Sequence, residues 1–122
     1  MNGRYVDQDG LIFDPDEMRR RLEDLGVDWA DKNAAASLLE ETERALMSEI
    51  SIHYRSTLAD VRSDIAAERM ARASAQYRDH IRRMVEARRV ANRARAAYDS
   101  YKVFVELRRT QMANERALAT MR

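Results

Sequence analysis

From Val27 to Arg122 the chain contains neither glycine nor proline. Sheets need turns, and turns draw on those two residues more than on any others. A run of 96 residues without a strong backbone breaker therefore predicts an all-α fold. Glycine and proline are confined to the first 26 positions, where the rest of the architecture has to be punctuated.

Within this run, Tyr77, Met84, Ala91, Tyr98, Val105, Met112 and Ala119 recur every seven residues and are all apolar or aromatic. Three residues further on, His80, Ala87, Ala94 and Tyr101 extend that face before it turns polar at Arg108 and Glu115. Val90, Ala97, Phe104 and Leu118 widen it. A broad, alanine-rich stripe fits a multi-helix bundle better than a two-stranded zipper. Tyr77, Met84, Ala91, Tyr98, Tyr101, Val105 and Met112 are the expected packing seam between helices and subunits.

One unbroken helix from Ser74 to Arg122 would be about 70 Å long at roughly 1.5 Å per residue. A compact domain of this size has a radius of gyration of about 14 Å. Either other subunits cover the helix or it breaks, and Asp99-Ser100 holds the two best capping residues for a break. The expectation is a helical bundle completed by homo-oligomerisation.

Residues 1–13 do not read as helix. Tyr5-Val6 and Leu11-Ile12-Phe13 flank the turn dipeptide Asp9-Gly10, which predicts a short arm or hairpin. Asp7, Asp9 and Asp14 lack the spacing of a calcium loop. Residues 14–122 are read as a single helical domain of about four helices. Asp14-Pro15-Asp16-Glu17 starts the first, with a cap, a proline at the first helical position and a capping-box glutamate. Gly26 is placed to stop it, and Asp28 to cap a second helix reaching Tyr54. A turn over Arg55–Thr57 leads to a third helix carrying Leu58, Val61 and Ile65. Ser74 then caps the last.

The charges divide unevenly. Residues 1–65 hold eight basic and fifteen acidic side chains, a net of −7; residues 66–122 hold fourteen and six, a net of +8. The halves can pair, or the basic half can meet a polyanion. Arg88, Arg95, Lys102, Arg109 and Arg116 repeat every seven residues, four positions on from the apolar register. One explanation is that these arginines edge a core and pair with Glu40, Glu41, Glu43 and Glu49. The other is a phosphate-tracking rail, filled in by Arg82, Arg89, Arg93 and Arg108, since arginine outnumbers lysine twenty to two and its planar fork suits phosphate. Tyr98, Tyr101 and Phe104 stand among these charges and serve either as core or as stacking platforms.

The residues of catalysis are missing. There is no cysteine, no glycine-rich phosphate loop and no nucleophile elbow. His53 and His80 have no companions at metal-ligand spacing. No enzyme activity, cofactor or metal is expected. No apolar run is long enough to span a bilayer, and the N-terminus lacks a secretory signal, so a cytoplasmic protein is expected.

The segment Val90-Ala91-Asn92-Arg93-Ala94-Arg95-Ala96-Ala97-Tyr98-Asp99-Ser100 resembles the basic segment of the UvsY family of phage recombination mediators: a hydrophobic pair, basic-Ala-Arg, then a tyrosine and a serine. Val85-Glu86-Ala87-Arg88-Arg89 before it is similar in character. Lys102-Val103-Phe104 stands where that family carries glycines. The resemblance implies a homo-oligomer, in the host cytoplasm if phage-encoded, that binds single-stranded DNA and helps a recombinase or annealing protein to load. By position it assigns DNA contact to Arg93 and Arg95. Together with the rail, the candidate DNA-binding residues are Arg88, Arg89, Arg93, Arg95, Lys102 and Arg109. The competing reading is a structural or adaptor bundle, of phage assembly or protein–protein interaction, whose arginines pair with its own acidic helix.

Overall fold

The computed structural model describes residues 5–6 and 12–121. Among the described residues the chain is helical almost throughout. Two short strands, β1 (Tyr5–Val6) and β2 (Ile12–Phe13), pair antiparallel with Tyr5 opposite Phe13 and Val6 opposite Ile12. The Asp9-Gly10 turn lies outside the described residues. Three helices follow: α1 (Pro15–Thr57), α2 (Asp64–Ala73) and α3 (Ala75–Thr120).

The chain forms two compact units. One is Asp31–Asn92; the other joins Met1–Ala30 to Arg93–Arg122. In the Asp31–Asn92 unit, Ala36 and Ile50 of α1, Val61 of the connection, Ala67 and Ala71 of α2 and His80 and Ala91 of α3 are buried. Tyr77 meets Glu43, His80 meets Leu39 and Arg88 meets Asn33. Rising numbers on α3 match falling numbers on α1, so the two helix segments run antiparallel. In the other unit, Ala94 and Val105 are buried, and Met18, Leu22, Leu25, Trp29, Tyr98, Tyr101 and Met112 are half-buried.

The inward face of α1 has its own heptads. Leu22, Trp29, Ala36, Glu43 and Ile50 recur every seven, as do Met18, Leu25, Leu39 and Leu46 around an exposed Lys32; all but Lys32 are buried or half-buried. Both cores are thin. Five of the eight buried apolar residues among the described residues are alanines, and no large side chain is fully buried. Alanines let backbones approach closely but each removes little apolar area from water.

Asp14 caps α1 as its chemistry predicts, its Oδ1 accepting from the N–H groups of Asp16 (3.1 Å) and Glu17 (3.3 Å). Other expectations are corrected. Gly26 does not end a helix; α1 runs through it and through Asp28. A Cβ at Gly26 would sit 3.3 Å from Tyr98 Cε2, so the glycine makes room for a ring. The turn does not fall at Arg55–Thr57. The Ser56 and Thr57 hydroxyls donate back to the His53 carbonyl (3.0 and 2.6 Å) and extend α1's last turn. The connection is therefore residues 58–63, and the cap of α2 is Ser63, whose Oγ accepts from Ala66 N–H at 3.1 Å. Leu58, Val61 and Ile65 consequently do not form a helical stripe: α2 turns Ala67 and Ala71 inward, while Ile65 is exposed. Of the two alternatives left open for the last helix, the break at Asp99-Ser100 is not the one taken; Asp99 is used within α3 by Arg95, at 3.7 Å. The helices thus number three, not about four.

Candidate nucleic-acid interface

Arg88 lies on the half-buried edge of the Asp31–Asn92 unit. Its Nε and Nη2 donate to the two oxygens of Glu40 (2.7 and 3.2 Å). Nη1 donates to Asn33 Oδ1 at 2.8 Å, and Nη2 approaches Ser37 Oγ at 3.4 Å. The fork is occupied by one carboxylate and two neutral groups of α1, which leaves no two-donor face for a phosphate. Arg88 thus meets the acidic helix in the way the pairing explanation requires. Arg89 is exposed and forks onto Glu86 one turn earlier (2.9 and 2.6 Å); that hydrogen bond raises its already high pKa.

In the other unit, Arg95 is exposed, 3.7 Å from Asp99, with its guanidinium carbon 5.6 Å from the centre of the Trp29 ring. Arg93, Lys102 and Arg109 are exposed and carry no acidic partner among the described residues. Arg116 is exposed as well. The sevenfold register therefore passes from a committed arginine at 88, through a partly committed one at 95, to uncommitted cations at 102 and 109.

The aromatics separate by depth. Tyr98 is half-buried, its ring 5.6 Å from that of Trp29 and directly over Gly26. Tyr101 is half-buried beneath the guanidinium of Arg21 and beside Phe104. Phe104 is 41% exposed, with Arg108 over its ring. Only Phe104 offers a face of any size to a ligand. The seam residues Tyr77, Met84 and Met112 are half-buried and Ala91 and Val105 buried, while Ala119 is exposed.

The acidic side chains of α3 are largely spent locally. Asp79 pairs with Arg83 (3.0 Å), Glu86 with Arg89 and Asp99 with Arg95. Such one-turn pairs hold the helix and remove those three acids from any competition for the remaining cations. On α3, Arg78, Arg82, Arg93, Lys102 and Arg109 are left exposed and without an acidic partner among the described residues. Arg78 escapes a reading based on the seven-residue register because it lies outside that register; its spacing of four from Arg82 is the signal that marks it.

His80 is buried, with Nε2 2.8 Å from the Leu39 carbonyl oxygen. The carbonyl can only accept, so Nε2 carries the proton and the ring bridges α1 and α3. His53 is exposed beside Tyr54. Among the described residues no three His, Cys, Asp or Glu side chains gather as a metal site, and no helix is long and apolar enough to cross a membrane. No protein-family model matches the chain, nor does any curated protein or solved structure.

Proposed function

We propose that the protein is a non-enzymatic, oligomeric accessory protein of phage-type recombination that binds single-stranded DNA through the uncommitted cations of α3. One observation carries this reading: α3 satisfies Asp79, Glu86 and Asp99 with its own neighbouring arginines and still presents Arg78, Arg82, Arg93, Lys102 and Arg109 to solvent. The acidic face of α1 takes Arg88 from the rail, and Arg93, Lys102 and Arg109 have no acidic partner among the described residues. Arg93 also lies in the segment that resembles the recombination mediators. Arg88 and Arg89 are withdrawn from the proposed contact set, and Arg95 enters it only by releasing Asp99. A recombinase or annealing protein is the proposed protein partner.

Binding of this kind is salt-dependent because phosphate contacts release counterions. Replacing Arg93, Lys102 and Arg109 together by alanine is expected to lower the slope of log affinity against log salt by about 2, at roughly 0.7 per contact on a single strand. Arg88→Ala should leave the slope unchanged. Absence of oligonucleotide binding at low salt would remove the reading.

A second reading, an adaptor or assembly bundle, is favoured by a different feature. Val103, Phe104 and Leu107 leave an apolar strip exposed on α3, a surface suited to a protein partner. Under that reading Leu107→Asp abolishes assembly and oligonucleotides have no effect on subunit number.

A further inference from the structure

Ala73 closes α2 and Ala75 opens α3, so the single residue Ser74 joins two helices. Its N–H and its hydroxyl both donate to the Ala71 carbonyl (3.0 and 2.6 Å), closing α2. The same hydroxyl oxygen accepts from Tyr77 N–H at 3.2 Å, opening α3. This elbow brings Arg72, from the last turn of α2, to the same cleft as Arg78 and Arg82 of α3. The cleft has a volume of about 530 Å³ and is floored by Tyr77 and Ile81. Tyr77 is held from below, its hydroxyl donating to Glu43 Oε1 at 2.5 Å.

Two of the three guanidiniums, Arg78 and Arg82, are placed against the interest of the fold, whereas Arg72 lies in the last turn of α2, where a cation is favoured. Arg78 and Arg82 are one turn apart, a like-charge pairing that destabilises a helix. Arg78 sits near the positive end of α3, where a cation is disfavoured, and the first turn of α3 has no acidic residue. The nearest acid on the helix, Asp79, is taken by Arg83. Arg72, Arg78 and Arg82 are all exposed and form no ion pair among the described residues, Arg72 also bordering a second cavity with Glu43 and Glu68. Local violations of this kind mark functional positions when a ligand resolves them.

We propose that this elbow is a phosphate-binding site, in which Arg72, Arg78 and Arg82 fork onto the oxygens of one phosphate group while the Tyr77 ring and Ile81 support the organic moiety attached to it. For the identity of that moiety the inference rests on the reading above: the phosphate belongs to the backbone of a single strand, and the elbow anchors it. A free phosphate shares the chemistry and is distinguished by experiment.

The test follows a labelled oligothymidylate by fluorescence anisotropy across a salt series, and in parallel follows the arginine Nε–Hε NMR signals on adding pyrophosphate. It compares the wild type with the triple variant Arg72→Gln, Arg78→Gln, Arg82→Gln. The expected result is strand binding by the wild type, at least a ten-fold loss in the variant, and a salt slope lower by about 2. Pyrophosphate should shift three arginine signals in the wild type and displace the strand. The ligand-free double variant Arg78→Gln, Arg82→Gln should melt no lower than the wild type, since these two substitutions relieve repulsion; a lower melting temperature together with lost binding would mean a structural role and sink the site. Strand binding that survives in the variant overturns the elbow site and leaves the function standing. Pyrophosphate shifts at the elbow without strand binding uphold the site and overturn the function. Neither response overturns both.

Discussion

Tyr77 occupies the first turn of α3 with its hydroxyl donated to a carboxylate of α1, 34 positions away in sequence. That hydrogen bond to Glu43 raises the phenol's pKa above its ordinary value; burial and the Glu43 charge add to the shift, and Arg72 opposes it. The folded state therefore favours the neutral phenol. Below about pH 10 the tyrosine is neutral in both states and the contribution is complete. As pH rises, the unfolded chain ionises first, so the contribution is lost up through the raised folded value. Tyr77→Phe is expected to lower stability by about 1 kcal/mol at neutral pH, and the gap should close in alkaline urea titrations; a gap unchanged above the phenol range would contradict this. Individual residues differ in how far they could be read beforehand. Asp14 and Ser74 act on backbone groups two or three positions away, so local chemistry identifies them. Arg88 could be placed on a face by periodicity, but its partners Asn33, Ser37 and Glu40 come from another helix, and no spacing rule reaches that far.

At the scale of elements, helix ends turned out to depend on which hydroxyl finds which carbonyl. Ser56 and Thr57 have the right side chains to cap α2 and instead lengthen α1, and Ser63 takes the cap. Gly26 has the right freedom to end a helix, yet it lies within α1 because a tyrosine ring of α3 needs the space of its missing side chain. The seven-residue register of α3 was legible because it is repeated over six turns or more. That of α1 was masked by Lys32 and Glu43, polar residues at two of its inward positions. Ser74 is the element whose loss should matter most, since it ends one helix and starts the next. Ser74→Ala should cost about 1–2 kcal/mol, and circular dichroism should show reduced helicity. Unchanged stability would mean that packing alone sets the elbow.

For the whole molecule, the decisive quantity is how little apolar surface each unit buries. The buried set among the described residues is mostly alanine, valine and a single isoleucine, while Val103, Phe104 and Leu107 remain exposed. If association between copies covers such surface, the melting temperature must rise with protein concentration, because a partner that binds only the folded state stabilises it by mass action. A concentration-independent transition would place the missing partner outside the chain. By itself the sequence determined that the chain is helical, where α1 begins, where α3 begins, and that a basic register accompanies the apolar one, because caps, breakers and periodicities act within a few residues. Only the tertiary structure decided which cations are already spent. Arg88 is neutralised across 48 residues of sequence, and Arg72 reaches the cleft of Arg78 and Arg82 only because Ser74 bends the chain. Coulombic and hydrogen-bond partnerships depend on distance in space, and that distance exists only once the helices have packed.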